Sequence, residues 1–162
     1  MIALQITNLK NFMSILLKQT SFDDFLLQEA TLHMAISYVI DGHINRDFFA
    51  DDISSETVIP DFVSYAEVRP TLFELIKGKR TPIGFQLVLQ LSPERSTILF
   101  PDGLSSHAIK GLILNIRYDG TKVILTSGIN YAAFSLDKTP ELIWDEALKH
   151  FLDQAAIAFE TL

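Results

Sequence analysis

A helical pattern followed directly by strict alternation is the clearest signal in the chain. Apolar side chains recur at helical spacing between Val68 and Ile76, as on the buried face of a helix. The stripe stops at Gly78, a typical helix-terminating residue, and apolar and polar residues then alternate as in a half-buried strand. We therefore predict a helix from about residue 70 to residue 77 and a strand over residues 83–91.

Two further segments carry helical patterns. After the cap residue Thr7, residues 8–18 place their apolar side chains on one face. Thr139-Pro140-Glu141 has the composition of a helix start, and the apolar pattern continues to about Phe159. The sequence thus predicts three main helices.

Alternation also predicts a long strand before the middle of the chain, from Leu26 to Ile40. It leads into Asp41-Gly42, a typical hairpin turn. A three-residue loop would pair Ile40 with Ile44 and keep the apolar faces together, because a slip of one residue inverts every side chain. A short extended piece is expected at residues 57–59.

A second hairpin is predicted around Asp119-Gly120, where a two-residue turn pairs Ile116 with Val123. Strands are also expected at residues 2–6 and 131–136. The elements together predict an α+β fold: a predominantly antiparallel sheet of about six to seven strands with three main helices. A chain of 162 residues is typical of a single domain, here residues 1–162.

Composition narrows the class of protein. The net charge of −7 opposes bulk attraction to nucleic acid or anionic lipid. Cysteine is absent, which excludes disulfides and thiolate chemistry. No apolar run approaches the ~20 residues of a membrane span, and the first residues lack the pattern of a signal peptide. We expect a cytoplasmic protein with no membrane association.

The basic residues are unevenly distributed. Lys77, Lys79 and Arg80 follow the end of the predicted second helix, where cations favourably meet the negative end of the helix dipole. The alternative is that they contact an anion or a phosphate backbone. If the first two helices lie on the same face of the sheet, the candidate binding set comprises Lys10, Lys18, Arg69, Lys77, Lys79 and Arg80.

The candidates for catalysis are few. His33 shares a predicted strand face with Glu29, and Asp41 and Asp47 lie near the first predicted hairpin; converging carboxylates and an imidazole support acid–base chemistry. The alternative is a solvated sheet face with turn-forming carboxylates. The histidines lack metal-ligand spacing, and no nucleotide-binding or hydrolase motif is present. We expect no metal, no cofactor and no established enzyme class.

Several segments resemble a known family. Residues 40–49 read IDGHINRDFF and residues 73–82 read FELIKGKRTP. They are similar to the patterns IDGRINKDF and ELIKGKKTP of a small uncharacterised family from clostridia and related Firmicutes, a domain of unknown function. Residues 114–120, 144–146 and 151–152 resemble its later segments. The resemblance implies a bacterial protein and no particular activity.

The order of elements is also similar to one domain of a DNA sliding clamp, in which two helices per domain face the DNA beneath an antiparallel sheet. That resemblance implies a clamp-like arrangement with the basic residues on the DNA side. The chain holds one such unit and an added last helix, and fold analogy alone does not establish function.

Three functional hypotheses follow. The first is a non-enzymatic binding module with a nucleic-acid or protein partner, clamp-like in one version. The second is an enzyme on a small metabolite that uses His33 and the carboxylates. The third is a protein-interaction domain or homo-oligomer, with a face formed by surplus apolar residues near the end of the chain: Ile143, Leu152, Ile157 and Phe159.

Overall fold

The computed structural model of the protein describes residues 1–51 and 58–162. Its helices are α1 (Leu9–Lys18), α2 (Tyr65–Ile76), α3 (Pro93–Leu99) and α4 (Thr139–Gln154). The strands are β1 (Ala3–Ile6), β2 (Phe25–His33), β3 (Ser37–Asp41), β4 (Val63–Ser64), β5 (Gly84–Leu91), β6 (Ile109–Tyr118), β7 (Val123–Tyr131) and β8 (Phe159–Thr161). The predicted α+β class with a mainly antiparallel sheet is confirmed.

All eight strands belong to one sheet, in which each pair is antiparallel, and seven of them follow the order β3-β2-β5-β6-β7-β1-β8. The short β4 lies beside β3 on the same edge of β2, where Leu27 is opposite Val63. β1 is inserted between β7 and β8, so that Leu4 is opposite both Leu125 and Thr161. One side of the sheet is therefore formed by strands from the two ends of the described chain.

One face of the sheet carries the core. The inward side chains of the central strands are buried, among them Leu32, Leu87, Leu114 and Leu125, and the helices pack over them. The alternate residues form rows on the other face; one such row, from β2 to β7, is Thr31, Gln86, Arg117 and Ile124. In the described part of the chain the sheet thus has one covered and one open face.

The predicted long strand over residues 26–40 is wrong, because the chain turns back at its middle. β2 ends at His33 and β3 begins at Ser37, and the turn is closed by a hydrogen bond from Met34 N–H to the Ile36 carbonyl oxygen at 3.0 Å. β3 pairs with β2 so that Leu32 is opposite Tyr38.

The predicted hairpin after Asp41-Gly42 is also wrong. Gly42 instead contacts the irregular part of β2, donating to the Gln28 carbonyl oxygen at 2.8 Å. The chain then forms a single bridge between His43 and Phe62 and a 3-10 turn at Arg46–Phe49. The expected piece at residues 57–59 lies partly outside the described residues, and residues 58 and 59 form no strand.

The second hairpin has the predicted position and a different register. Residues 119–122 form a four-residue loop between β6 and β7, and Ile116 is opposite Leu125 rather than Val123. The Asp119 side chain accepts hydrogen bonds from the backbone of Thr121 and Lys122, both at 2.9 Å, which favours the longer loop. β7 continues to Tyr131, and the separate strand expected at residues 131–136 does not form.

The helices agree with the patterns except at their ends. Asn8 caps α1 in place of Thr7, its side chain accepting from Asn11 N–H at 3.1 Å. α2 begins at Tyr65, so that Pro70 lies inside the helix. α4 ends at Gln154 rather than near Phe159, which starts β8.

Candidate functional site

Two of the predicted basic residues, Lys18 and Lys77, lie at the contact between α1 and α2. The Lys18 and Lys77 ammonium groups are 5.6 Å and 5.9 Å from the centre of the Phe73 ring. Both cations thus lie over the same aromatic ring, an attractive arrangement. Lys79 and Arg80 follow on the exposed segment after α2. We refer to Lys18, Lys77, Lys79 and Arg80 as the basic patch.

Two of the predicted binding residues lie apart from this patch. The Arg69 guanidinium forms an ion pair with Asp23, and its side chain is only 16% exposed. It therefore joins α2 to the segment before β2 rather than facing a partner. Lys10 is exposed in the first turn of α1, at the opposite end of that helix from Lys18.

The basic patch contains residues with different structural roles. Lys77 directly follows α2: its N–H donates to the Phe73 carbonyl oxygen at 2.8 Å, and its ammonium is 2.7 Å from Glu74. Favourable interaction with the helix dipole falls off within the last turn. Lys79 and Arg80 lie beyond that turn and form no ion pair with any residue that the structure describes. Helix capping accounts for Lys77 and leaves Lys79 and Arg80 unexplained.

The alternative acid–base residues lie on exposed surfaces. Glu29 and Asp41 are opposite each other on β2 and β3, and the His33 Nδ1 atom is 2.9 Å from the Ser37 hydroxyl. Hydrogen bonds from the His43 backbone N–H and imidazole lower the pKa of Asp41. Asp47 belongs to the exposed 3-10 turn. These residues do not converge: Glu29 contacts Thr31 rather than His33, and the surface around them is the open sheet face.

A cleft between α3 and α4 was missed by the sequence analysis. It has a volume of about 250 Å³, with Trp144 and Phe151 from α4, Ile98 and Leu99 from α3, and Phe25 from β2 among its walls. Its rim carries charged and polar side chains, namely Asp24, Arg95, His150 and Gln154. We refer to it as the α3–α4 cleft. The only local signal was the adjacent apolar pair Ile98-Leu99 in a short polar segment.

A buried polar cluster ties α4 to the sheet. Asp145 and Ser127 are only 6% and 1% exposed, and the Ser127 hydroxyl donates to the Asp145 carboxylate. The same hydroxyl oxygen accepts from Ile2 N–H at 2.9 Å, while the Met1 nitrogen is 3.2 Å from the carboxylate. These contacts satisfy the buried carboxylate and connect α4, β7 and the segment before β1.

The proposed apolar face near the end of the chain is largely buried. Leu152 is 0% and Ile157 is 2% exposed, and both belong to the core. Ile143 and Phe159 are half-buried and pack against the same core. The predicted dimer face is therefore wrong, because Leu152 and Ile157 are buried in the core.

Two features are absent from the described residues. None of the helices in the described ranges is long and apolar enough to cross a membrane. Within residues 1–51 and 58–162, no three His, Asp or Glu side chains are arranged to hold a metal ion.

Comparison with known proteins gives one match. Residues 15–160 match the model of a family described as a family of unknown function (DUF5721). No curated protein and no solved structure matches the chain significantly. The match confirms the expected domain of unknown function and carries no information on the source organism or on a sliding-clamp likeness.

Proposed function

Because that match covers most of the chain, the protein belongs to DUF5721, a family of unknown function, and we propose that it is a non-enzymatic binding module whose basic patch contacts a nucleic-acid backbone. The single observation that carries this proposal is the position of Lys79 and Arg80. They are exposed, lie beyond the reach of the α2 dipole and have no ion-pair partner among the described residues. The sequence leads us to expect a bacterial cytoplasmic protein, and nucleic acid is present in that compartment.

The geometry around Phe73 supports this role. The Lys18 and Lys77 ammonium groups both lie over the Phe73 ring, and Lys77 leads into the exposed segment that carries Lys79 and Arg80. Of the four cations, Lys77 forms an ion pair with a described residue, Glu74, and Lys18, Lys79 and Arg80 form none, on a protein with a net charge of −7. Local cations on an acidic protein favour contact in one orientation, because the remaining surface repels the polyanion.

The clamp-like version of this proposal has a separate requirement. α1 and α2 pack on the same face of the sheet, as two helices do in the clamp arrangement. A single unit does not surround a duplex, so several copies would have to close a ring. Sedimentation or light scattering with and without DNA tests it: a monomer in both conditions contradicts the ring and leaves simple binding intact.

Fluorescence anisotropy tests the binding itself, with a labelled 20-base-pair duplex and a single strand of the same length at 50 mM and 150 mM salt. We expect binding that weakens with salt, because phosphate contacts release counterions. The double variant Lys79→Glu/Arg80→Glu should bind more weakly at 50 mM salt and show a salt dependence flatter by about two units of slope, one per lost phosphate contact.

The matched control is Lys110→Glu/Lys122→Glu, which changes the net charge by the same amount at two exposed positions of β6 and the following loop. It should retain most of the affinity. Equal losses in the two double variants would show that net charge rather than the basic patch governs binding. No binding at 50 mM salt would contradict the proposal.

A further inference from the structure

We propose that the α3–α4 cleft binds a small carboxylic acid with an alkyl or aryl body, whose carboxylate contacts Arg95. The cleft lies between α3 and α4, and its rim residues do not include the basic patch. The inference is therefore independent of nucleic-acid binding.

The walls of the cleft favour an apolar body. It is lined by three aromatic side chains and three aliphatic ones: Phe25, Trp144, Phe151, Leu91, Ile98 and Leu99. The Trp144 indole N–H already donates to the Ile113 carbonyl oxygen at 3.0 Å, so the ring turns only apolar surface to the cleft. Ile98 is 66% exposed, although apolar burial would stabilise it. A ligand that covers Ile98 removes this exposed apolar area from water.

The volume sets the size of the ligand. A dry apolar cavity of about 150 Å³ holds one benzene molecule, and this cleft has about 250 Å³. An alkyl chain of about eight carbons or a fused pair of aromatic rings is the matching size. Peptides and folded partners exceed it.

The rim supplies the group that recognises a carboxylate. The Arg95 Nε atom is 3.1 Å from an Asp24 carboxylate oxygen, which fixes the direction of the guanidinium. The Arg95 side chain is 54% exposed, so its guanidinium is open to a ligand, and the edge formed by the two terminal nitrogens of a guanidinium binds carboxylates in a bidentate manner. His150 on α4 provides a second polar group at the rim. The overall charge of −7 repels anions, so a preference for a carboxylate has to arise at Arg95.

The protein contains its own reporter for this test. Trp144 is the only tryptophan of the chain and lines the cleft, so its fluorescence responds to a bound molecule. Hexanoate, octanoate and 1-octanol are titrated into the protein. We expect saturable octanoate binding, about fifteenfold tighter than hexanoate, because each buried methylene contributes ~0.8 kcal/mol, or about fourfold. Octanol, with the same chain and no charge, should bind at least tenfold more weakly than octanoate.

Substitutions test the contact to the ligand's carboxylate and the space for its apolar body separately. Arg95→Gln should remove the preference for octanoate over octanol, whereas Arg117→Gln, the same change on the open sheet face, should leave it unaltered. Ala147→Phe places a ring in the cleft and should abolish binding of both probes.

Three results would overturn the proposal: no saturable change with any probe, equal affinities for octanoate and octanol in the unmodified protein, or a preference that survives Arg95→Gln. Because Arg95 is half-exposed, its substitution tests the proposal even if Ala147→Phe fails to fold.

Discussion

The hydroxyl of Tyr65 makes the contact whose loss can be predicted most directly. Tyr65 is 0% exposed, and its hydroxyl donates to the Leu16 carbonyl oxygen at 2.9 Å. Leu16 lies in the last turn of α1, where carbonyl groups lack a partner within the helix. The first residue of α2 thus satisfies the end of α1. Tyr65→Phe removes this donor and leaves the aromatic packing with Phe22 in place.

The size of the effect follows from the buried acceptor. Leaving a buried carbonyl without its hydrogen bond costs about 1–3 kcal/mol, and burial of both groups here favours the upper half of that range. We expect Tyr65→Phe to lower the free energy of unfolding by about 2 kcal/mol at pH 7, measured by urea denaturation followed by Trp144 fluorescence.

Tyr131 provides the matched control. Its hydroxyl oxygen is buried and has no hydrogen-bond partner in the described part of the protein. Removing an unsatisfied polar group is neutral or stabilising, so Tyr131→Phe should change stability by less than about 0.5 kcal/mol or increase it. If the two variants lose the same stability, the hydrogen bond to Leu16 is not the cause of the effect.

Alkaline conditions give a second check on the same hydroxyl. Burial raises the pKa of Tyr65 above its ordinary value. As the pH rises above ~10, the Tyr65 hydroxyl therefore loses its proton in the unfolded chain first, while the same hydroxyl stays protonated in the folded protein. The stability contributed by the protonated hydroxyl is complete below pH ~10 and decreases as the pH rises further. The difference between the unmodified protein and Tyr65→Phe should therefore narrow above pH ~10.

Two further predictions concern the loops. At Gly42 an added Cβ would lie 1.8 Å from the Leu27 carbonyl oxygen. Gly42→Ala should therefore lower the free energy of unfolding in a urea titration by about 3 kcal/mol or more. Gly128→Ala is the control: its Cβ would lie 3.8 Å from the nearest atom, so the change should be nearly neutral. Hydrogen bonds from the backbone N–H groups of Lys122 and Thr121, and from the Thr121 hydroxyl, lower the pKa of Asp119 to about 2; Asp119→Ala should therefore lower stability above pH ~4, and thermal melts should show the difference vanish as the pH falls to about 2.

The misread strand shows where an alternating pattern loses information. The turn between β2 and β3 contains Met34, Ala35 and Ile36, none of them a typical turn residue. Because this loop has an odd number of residues, the partners Leu32 and Tyr38 keep the same parity and share one face. The alternation of apolar residues therefore continues unbroken through the turn. At Asp119-Gly120, in contrast, turn residues marked the hairpin, and only the predicted loop length and register were wrong.

The two candidate sites also differ in how far the local sequence predicts them. The basic patch was predictable in part because three of its members follow one another after α2; the convergence of Lys18 on Phe73 required the packing of two helices. The α3–α4 cleft takes its walls from residues 24–25, 91–99 and 144–154. No local pattern links these segments, and Trp144 and Phe151 are equally suited to an ordinary core.

The position of β1 in the sheet has a consequence for synthesis on the ribosome. Leu4 pairs with Leu125, about 120 residues later in the chain, and translation proceeds at ~5–20 residues per second. β1 therefore emerges about 6–24 seconds before the strand with which it pairs. In that interval it exposes two unpaired edges to neighbouring nascent chains. Its length of four residues keeps the surface available for mispairing small.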